Sequence, residues 1–597
     1  MTDDPPTHAP ADTSALWQEA GRTLLAKAIA EFSYEELFHP EPEGDGWYTL
    51  TVRPRGEGDG VTYRFRAERG DYDSWFVDPA SPHRAGRPAD DPLGFIADAA
   101  GTLNLAGDTA GHLVRELAAT LAADLRIAAT ATLTAAELAD LDYARLEGHQ
   151  TGHPWIVFNK GRIGFSNDDA LRYAPEARRP MRLPWIAVRN DRAEYRAVPD
   201  LSAQRLYDEE LTPETRERFR RELAARGCDP DDYLWLPIHP WQWDETILGL
   251  HAADVATDRM VYLGEGDDEY LPQQSIRTFS NITADRRRHV KLPLSVLNTM
   301  VWRGLPAERT LAAPAVTAWL QGIAAADPYL TGECGLVLLG EVASVTVAHP
   351  VLDRIDAAPY QYRELLGAIW REPMPAALRP GERARTLAAL LSFGADGRPL
   401  AAELIARSGL TPQAWLGRLF DAVLPPLLHF LYAYGTAFSP HGENAIVVYD
   451  EHDAPARLAV KDFVDDVNIA AAPLPELAGL PPQVAGVLLR EEPGYLCQFL
   501  HAGLFIGHFR YLARLFEQHL GLPRADFWAL VRARICDYQR RFPEHADRYA
   551  LFDLATPTIP RLCLNRNRLL LNGYRDLAER PHVEAFGAVP NPLSTIR

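Results

Sequence analysis

Lysine is nearly absent. Of 61 basic residues only four are lysines, Lys27, Lys160, Lys291 and Lys461, and the others are arginines. Abundant Ala and Pro beside Arg are the mark of a GC-rich genome. A lysine kept against that bias marks a place where a compact point charge serves and a planar guanidinium does not. Cysteine is scarce too: Cys228, Cys334, Cys497, Cys536 and Cys563 are odd in number, scattered and free of any Cys-x-x-Cys pair. This speaks against a zinc site or a disulfide framework and fits a reducing, cytoplasmic setting. No uninterrupted apolar run reaches the roughly 18 residues of a transmembrane helix. Positive charge is in deficit, 61 Lys+Arg against 81 Asp+Glu for a net charge of −20. Binding to nucleic acid or to an anionic membrane needs a basic face, so neither is expected, while a small anion in a local basic pocket stays open. The start, MTDDPPTHAPADTS, has neither the basic residues nor the apolar stretch of a signal peptide, and residues 1–14 read as a floppy tail. There is no Walker A motif, no G-x-S-x-G and no His-Glu-x-x-His, which argues against a P-loop ATPase, a serine hydrolase and a zincin.

What is present is an ordinary globular composition, 47% hydrophobic and 24% charged over 597 residues, enough for a multi-lobed enzyme. Residues 15–38 carry apolar side chains at helical spacing, WYTLTVRP and VTYRFRAE flank a GEGDG turn, and residues 92–147 read as two or three packed helices. Residues 148–378 alternate short β-like runs (WIVF, LPWIAVRN, YLWLPI, MVYLG, GLVLLGEVASVTVAH) with Gly/Pro/Asp punctuation and one helix near 309–325. That pattern reads as an α+β domain with a mostly antiparallel sheet. Residues 379–597 read as mainly helical, with Pro425-Pro426 as a helix start, a buried helix over 497–516 and a hairpin in AIVVYDEHDAPARLAVKDFV.

Three clusters carry candidate chemistry. Gly152-His153-Pro154 followed by Lys160-Gly161-Arg162 sets two cations on a flexible turn suited to a polyanion, or is a surface turn with solvated charges. In GEGDDEYLPQQSIRTFSNIT, Ser275 and Arg277 share a face if the chain is extended. Arg277, Lys291 and Arg303 then concentrate positive charge for an anion, unless Glu265, Asp267, Asp268 and Glu269 pair with them. The third cluster is His441-Gly442-Glu443-Asn444 with Lys461-Asp462-Phe463-Val464-Asp465-Asp466. A hairpin brings Asn444 and Asp462 together as hard oxygen ligands suited to Mg²⁺ and phosphate, or they form a capped turn and a salt-bridged strand end. Three of the four lysines fall in these stretches. LPIHPWQW is either a substrate wall or a buried aromatic cluster.

Together GHPWIVFNKGRIGFS, LPIHPWQW, GEGDDEYLPQQSIRTF, KLPLSVLN with Arg303, PHGENAIVV and VKDFVDD resemble the siderophore synthetases that work without nonribosomal peptide synthetases, the aerobactin-synthetase-like family. GEGDDEYLPQQSIRTF is most similar to the branch making hydroxamate macrocycles, such as the desferrioxamine and alcaligin synthetases. The resemblance implies a cupped-hand homodimer with a helical thumb (15–147), antiparallel-sheet fingers (148–378) and a mostly helical palm (379–597). It implies ATP- and Mg²⁺-dependent adenylation of a small carboxylate, then attack by an amine, here of an N-hydroxydiamine. By motif, Ser275, Arg277 and Thr278 would hold phosphates, Lys291 and Arg303 would contact the α-phosphate and the activated carboxylate, and His441 would sit beside the reacting centre. Asn444 and Asp462 would bind Mg²⁺. His153, Lys160 and Arg162 would assist with the nucleotide, and Asp465 and Asp466 would attract the substrate ammonium. Ile156 and Val157 stand where many citrate-using relatives carry a second His-Pro, and Ser439 stands where they carry Glu. Both departures point away from citrate and leave Glu443 as a replacement metal ligand. The alternatives are a citryl-amide synthetase, a kinase-like phosphotransferase and a binding module without turnover.

Overall fold

The computed structural model describes residues 13–595 apart from 57, 58 and 106. The expected tail therefore lies almost wholly outside the described residues; Thr13 and Ser14 already belong to helix α1 (Thr13–Tyr34).

The thumb is not purely helical. Strands β1 (Trp47–Val52) and β2 (Val61–Arg69) form the expected hairpin, with Trp47 opposite Arg66, inside a small sheet that follows α1. Helices α2 (Pro92–Ala99) and α3 (Gly107–Thr130) follow. Leu24, Leu25, Ala28, Ile29 and Phe32 of α1 pack with Leu113, Leu117 and Leu121 of α3 in one core. Ile156, Val157 and Phe158 of WIVF join that packing without forming a strand, and Trp155 is buried in the neighbouring core: residues 155–158 lie in bends and turns, with all four side chains buried. A run that is apolar on every side needs only enclosure, and turns between packed helices supply it as well as a sheet does.

The fingers are an eight-stranded sheet that begins with β3 (Met181–Arg189), β4 (Ala193–Ala197), β5 (Tyr233–Pro237), β6 (Met260–Pro272), β7 (Thr278–Asn281) and β8 (His289–Lys291). Next come a hairpin, β9 (Leu294–Asn298) and β10 (Val301–Arg303), helix α4 (Ala307–Ala326), and strands β11 (Val337–Leu338), β12 (Glu341–Val347) and β13 (Gly367–Arg371). The sheet order is β4–β12–β13–β8–β7–β6–β3–β5, and every pairing is antiparallel. LPIHPWQW is a buried structural cluster. Trp241 packs edge-on against Phe165, and Gln242 fixes β9 by accepting from Ser295 N at 2.8 Å.

The palm begins with β14 (Arg383–Thr386) and helix α5 (Pro412–Tyr434). Pro425-Pro426 lie inside α5, not at its start. Thr411 caps the helix by accepting from Ala414 N, Pro412 takes the first helical position, and Gly435 ends it in the left-handed region. The hairpin β15 (Ala445–Tyr449) and β16 (Pro455–Val460) forms as expected. It sits in a sheet ordered β11–β16–β15–β14, so a fingers strand pairs directly with the palm. The apolar stretch beyond 497 is helical and buried, with π-helical geometry over Phe499–Phe509 before α6 (Arg510–Leu520). A Cβ on Gly503 would stand 3.5 Å from His441 N, so this π segment backs the His441 turn. Among the described residues no helix is long and apolar enough to cross a membrane.

Candidate functional site

Lys291 ends β8, and its ammonium lies 3.1 Å from Asp465 Oδ2, 3.4 Å from Glu341 Oε1 and 3.4 Å from Asp462 Oδ1. Arg371, at the end of the neighbouring β13, reaches Asp462 Oδ1 at 2.9 Å, and Arg277 reaches Asp465 Oδ2 at 3.1 Å. Fingers cations are thus interleaved with palm carboxylates. The palm carboxylates arrive there because β15 and β16 place Ala445 opposite Val460, which sets Asn444 beside Lys461 and sends Asp462 out in a left-handed conformation, φ 63°. Asn444 Nδ2 donates to Asp466 Oδ2 at 2.6 Å.

The second cluster does not use an extended strand. Ile276 has φ 66°, a conformation that strains a β-branched residue, so Ser275 and Arg277 flank a turn rather than sharing a strand face. The turn still delivers Arg277 to the cluster, and β9 and β10 return Arg303 beside it. The acidic run 265–269 does not compensate these cations. Asp267 accepts from Thr212 and Thr215, and Asp268 pairs with Arg287.

Electrostatics follow this geometry. Burial opposes charge at Asp462, yet Lys291 and Arg371 hold its carboxyl below the usual range, and Lys291 with Arg277 does the same for Asp465. Burial, then the charges of Asp462 and Asp465, pushes Asp466 up to about 7. Burial, then Arg277, lowers Arg303 to about 10. His441 is lowered by burial, and His153 is lowered by burial and then Lys27 to about 3, so both are neutral at physiological pH. Glu443 N donates to His441 Nδ1 at 3.3 Å, and Trp155 N and Ile156 N donate to His153 Nδ1 at 3.2 Å. In each neutral ring the proton therefore sits on Nε2, which makes both rings donors. His441 and Arg303 lie close enough to His153 to oppose its protonation, so the three share one neighbourhood.

Several polar atoms here are buried without a partner: Ser275 Oγ, Thr278 Oγ1, Asn298 Oδ1, Arg303 Nε and Asn444 Oδ1. Each such atom costs about 1–3 kcal/mol unless a ligand or water completes it. The hydroxyl and guanidinium groups left open beside buried cations suit an anionic ligand rich in acceptors, while the two open amide oxygens, Asn298 Oδ1 and Asn444 Oδ1, suit a donor or a cation.

Some sequence-based expectations are not met. Asp465 is committed to Lys291 and Arg277 rather than open to a substrate ammonium; Asp466, equally half-buried, accepts from Asn444 Nδ2 and has no cation partner at salt-bridge distance among the described residues. Arg162 forms a two-point pair with Glu176 at 2.5 and 2.9 Å, and Lys160 is held by Asp124 and Asn159, so protein acceptors take up both cations. Glu443 faces Lys461 at 3.6 Å and Asp462 faces Lys291 and Arg371, so neither joins Asn444 in a ligand set. Among the described residues no three His, Cys, Asp or Glu side chains are grouped to hold a metal.

Other participants escaped the sequence reading. Glu341 and Arg371 complete the ion cluster from β12 and β13 with no motif of their own. Lys27, the fourth lysine, reaches the site from α1 and donates to His153 O at 2.6 Å. Burial, then Lys160, lowers its ammonium to about 7. Its rarity was a usable signal, since all four lysines contact motif residues.

Residues 142–392 match the model of the IucA / IucC family, and residues 413–577 match one described as ferric iron reductase FhuF-like transporter. The rhizobactin siderophore biosynthesis protein RhbF of Rhizobium meliloti (strain 1021) is 44% identical, over 97% of this chain and 96% of its own. The aerobactin synthase of Escherichia coli is 36% identical, over 93% of this chain and 94% of its own. The solved aerobactin synthetase IucC from a hypervirulent pathotype of Klebsiella pneumoniae superposes with a TM-score of 0.86 at 34% identity, covering 97% of this chain and 98% of that one. These full-length likenesses span the FhuF-like segment as well. They do not single out the hydroxamate-macrocycle branch.

Proposed function

The chain belongs to the IucA / IucC family of siderophore synthetases, ATP-dependent ligases that work without nonribosomal peptide synthetases, and from that premise we propose that it activates a carboxylate as an acyl-adenylate and passes the acyl group to an amine. The observation that carries this reading is the Lys291 cluster, a buried cation array shared by fingers and palm and bordered by unpartnered donors. A carboxylate oxygen attacks the α-phosphorus of ATP, the bond to the β,γ-phosphates breaks, and pyrophosphate leaves. Negative charge grows on the phosphoryl oxygens, where Lys291 and Arg303 donate in a buried setting. Ser275 Oγ and Thr278 Oγ1 supply further donors to phosphate. The neutral amine then attacks the acyl carbon, AMP departs and the nitrogen loses a proton. His441, carrying its proton on Nε2, donates to the reacting carboxylate without adding charge.

Mg²⁺ fits a site completed by the nucleotide: Asn444 Oδ1 is open, the Asp466 carboxyl adjoins it, and this ion takes one or two protein oxygens plus phosphate. When bound it neutralises phosphate charge. The amine belongs to an N-hydroxydiamine, its ammonium drawn to Asp466, and the product is a hydroxamate siderophore. The working form is a cytoplasmic homodimer. A second reading, an acid with further carboxylates such as a citrate half-amide, is favoured by Lys27 and Arg303, neither of which has a carboxylate partner at salt-bridge distance among the described residues. Incubation with ATP, Mg²⁺ and a panel of N-hydroxy-N-succinyldiamines and citrate half-amides tests both. Products lighter by one water, with AMP and pyrophosphate, support the proposal, and ADP in their place overturns it.

A further inference from the structure

Gly304 follows Arg303, and its carbonyl is the meeting point of three parts of the chain. Arg277 Nη1 donates to it from the fingers, and Arg580 Nη2 donates to it at 2.9 Å from 276 residues further along the chain. Each guanidinium is anchored by its own carboxylate. Arg277 pairs with Asp465, and Arg580 places Nε at 3.0 and 3.1 Å and Nη2 at 2.5 Å from the Glu364 oxygens. Glu364 O also accepts from Leu305 N at 2.9 Å. No side chain fits at position 304, since a Cβ there would stand 2.5 Å from Glu364 Cβ and 2.7 Å from Glu364 O. The Gly304–Leu305 peptide, one residue beyond Arg303, is thereby held on both sides.

Arg580 comes from an irregular segment, residues 575–584, lying along the fingers loop 360–364. Leu577 O accepts from Tyr360 N at 3.0 Å, Ala578 O accepts from Arg363 at 2.9 Å, and Asp576 accepts from Gln361 at 2.5 Å. These contacts dock the segment, and Arg580 alone among them reaches the peptide next to Arg303.

We propose that Arg580 is a positioning residue for the synthetase reaction: by clamping the Gly304 carbonyl together with Arg277, it orients Arg303 toward the activated carboxylate. A lysine can satisfy Glu364 or the carbonyl, but it lacks the planar fork that serves both. The proposal rests on the adenylation reading. Its chemical content is geometric, because a misplaced donor weakens the transition state more than it weakens ground-state binding.

The test is ATP–pyrophosphate exchange with the full-length protein. Arg580→Ala and Arg580→Lys are expected to lose about tenfold or more in kcat with KM for ATP nearly unchanged. Millimolar guanidinium should restore part of the Arg580→Ala loss. Asp576→Asn, which loosens the same segment without touching Gly304, should keep wild-type kcat. Wild-type kcat in Arg580→Lys overturns the proposal. So does an equal loss in Asp576→Asn, which would mean that docking of the segment alone matters. If Arg580→Ala does not fold, Arg580→Lys decides. Absence of exchange in the wild-type protein sinks the adenylation reading itself, whereas normal wild-type exchange beside an unaffected Arg580→Lys sinks only this inference.

Discussion

Two sides of the site handle charge differently. On the fingers–palm side every cation has a protein carboxylate: Lys291 has three, Arg371 has Asp462 and Arg277 has Asp465. On the other side, among the described residues, Lys27 from the thumb helix α1 donates only to the His153 carbonyl, and Arg303 at the end of β10 donates only to the Thr299 hydroxyl, with its Nε unpartnered. A compensated cluster is pre-organised and stable without ligand. An uncompensated one pays for burial until an anion arrives. The contrast assigns scaffolding and phosphate contact to the first side and the incoming acid to the second.

The largest expected effect is at Lys291. Lys291→Ala should cut ATP–pyrophosphate exchange at least 100-fold, about 3 kcal/mol of transition-state stabilisation. It should also destabilise the fold by about 3–5 kcal/mol, because the buried Glu341 loses its cation while Asp462 and Asp465 each lose one of two. Denaturant unfolding should show that stability deficit shrinking as acid protonates them. Lys291→Arg should also impair exchange. Arg303→Ala removes a cation without stranding a carboxylate, so exchange should fall at least tenfold with no loss of stability. A matching stability loss there would erase the difference between the two sides.

Arg162→Met sharpens the boundary. Its buried pair with Glu176 predicts a stability loss of about 3–5 kcal/mol and an unchanged KM for ATP, read by denaturation and steady-state kinetics. A raised KM would return Arg162 to the nucleotide. The smallest effect is at Lys27. The folded protein releases its proton near 7 while the unfolded chain keeps it to about 10.5, so this group makes stability rise with pH across that window. Lys27→Met should abolish that increment, and the difference in Tm from wild type between pH 7 and 9.5 measures it.

The motifs were legible because spacing along the chain carries them. The hairpin that joins Asn444 to Lys461, the antiparallel sheet and the Lys291–Arg303 return could all be anticipated from alternation and turn residues. Partner choice could not. Acids next to Arg277 in sequence pair elsewhere, and the acid that holds it, Asp465, comes from another lobe. WIVF misled because an apolar run does not say whether a sheet or turns enclose it. Pro425-Pro426 misled because Thr411-Pro412, a stronger start signal, lies fourteen residues earlier. Arg580 had no local pattern, since its role exists only once the chain has folded back on itself.

The most direct measurement uses an acid substrate labelled with oxygen-18 in its carboxylate. The account predicts that, during amide formation, one labelled oxygen appears in AMP, since the carboxylate attacks the α-phosphorus and its oxygen leaves with the nucleotide. Label found in inorganic phosphate, with ADP as the nucleotide product, would contradict it.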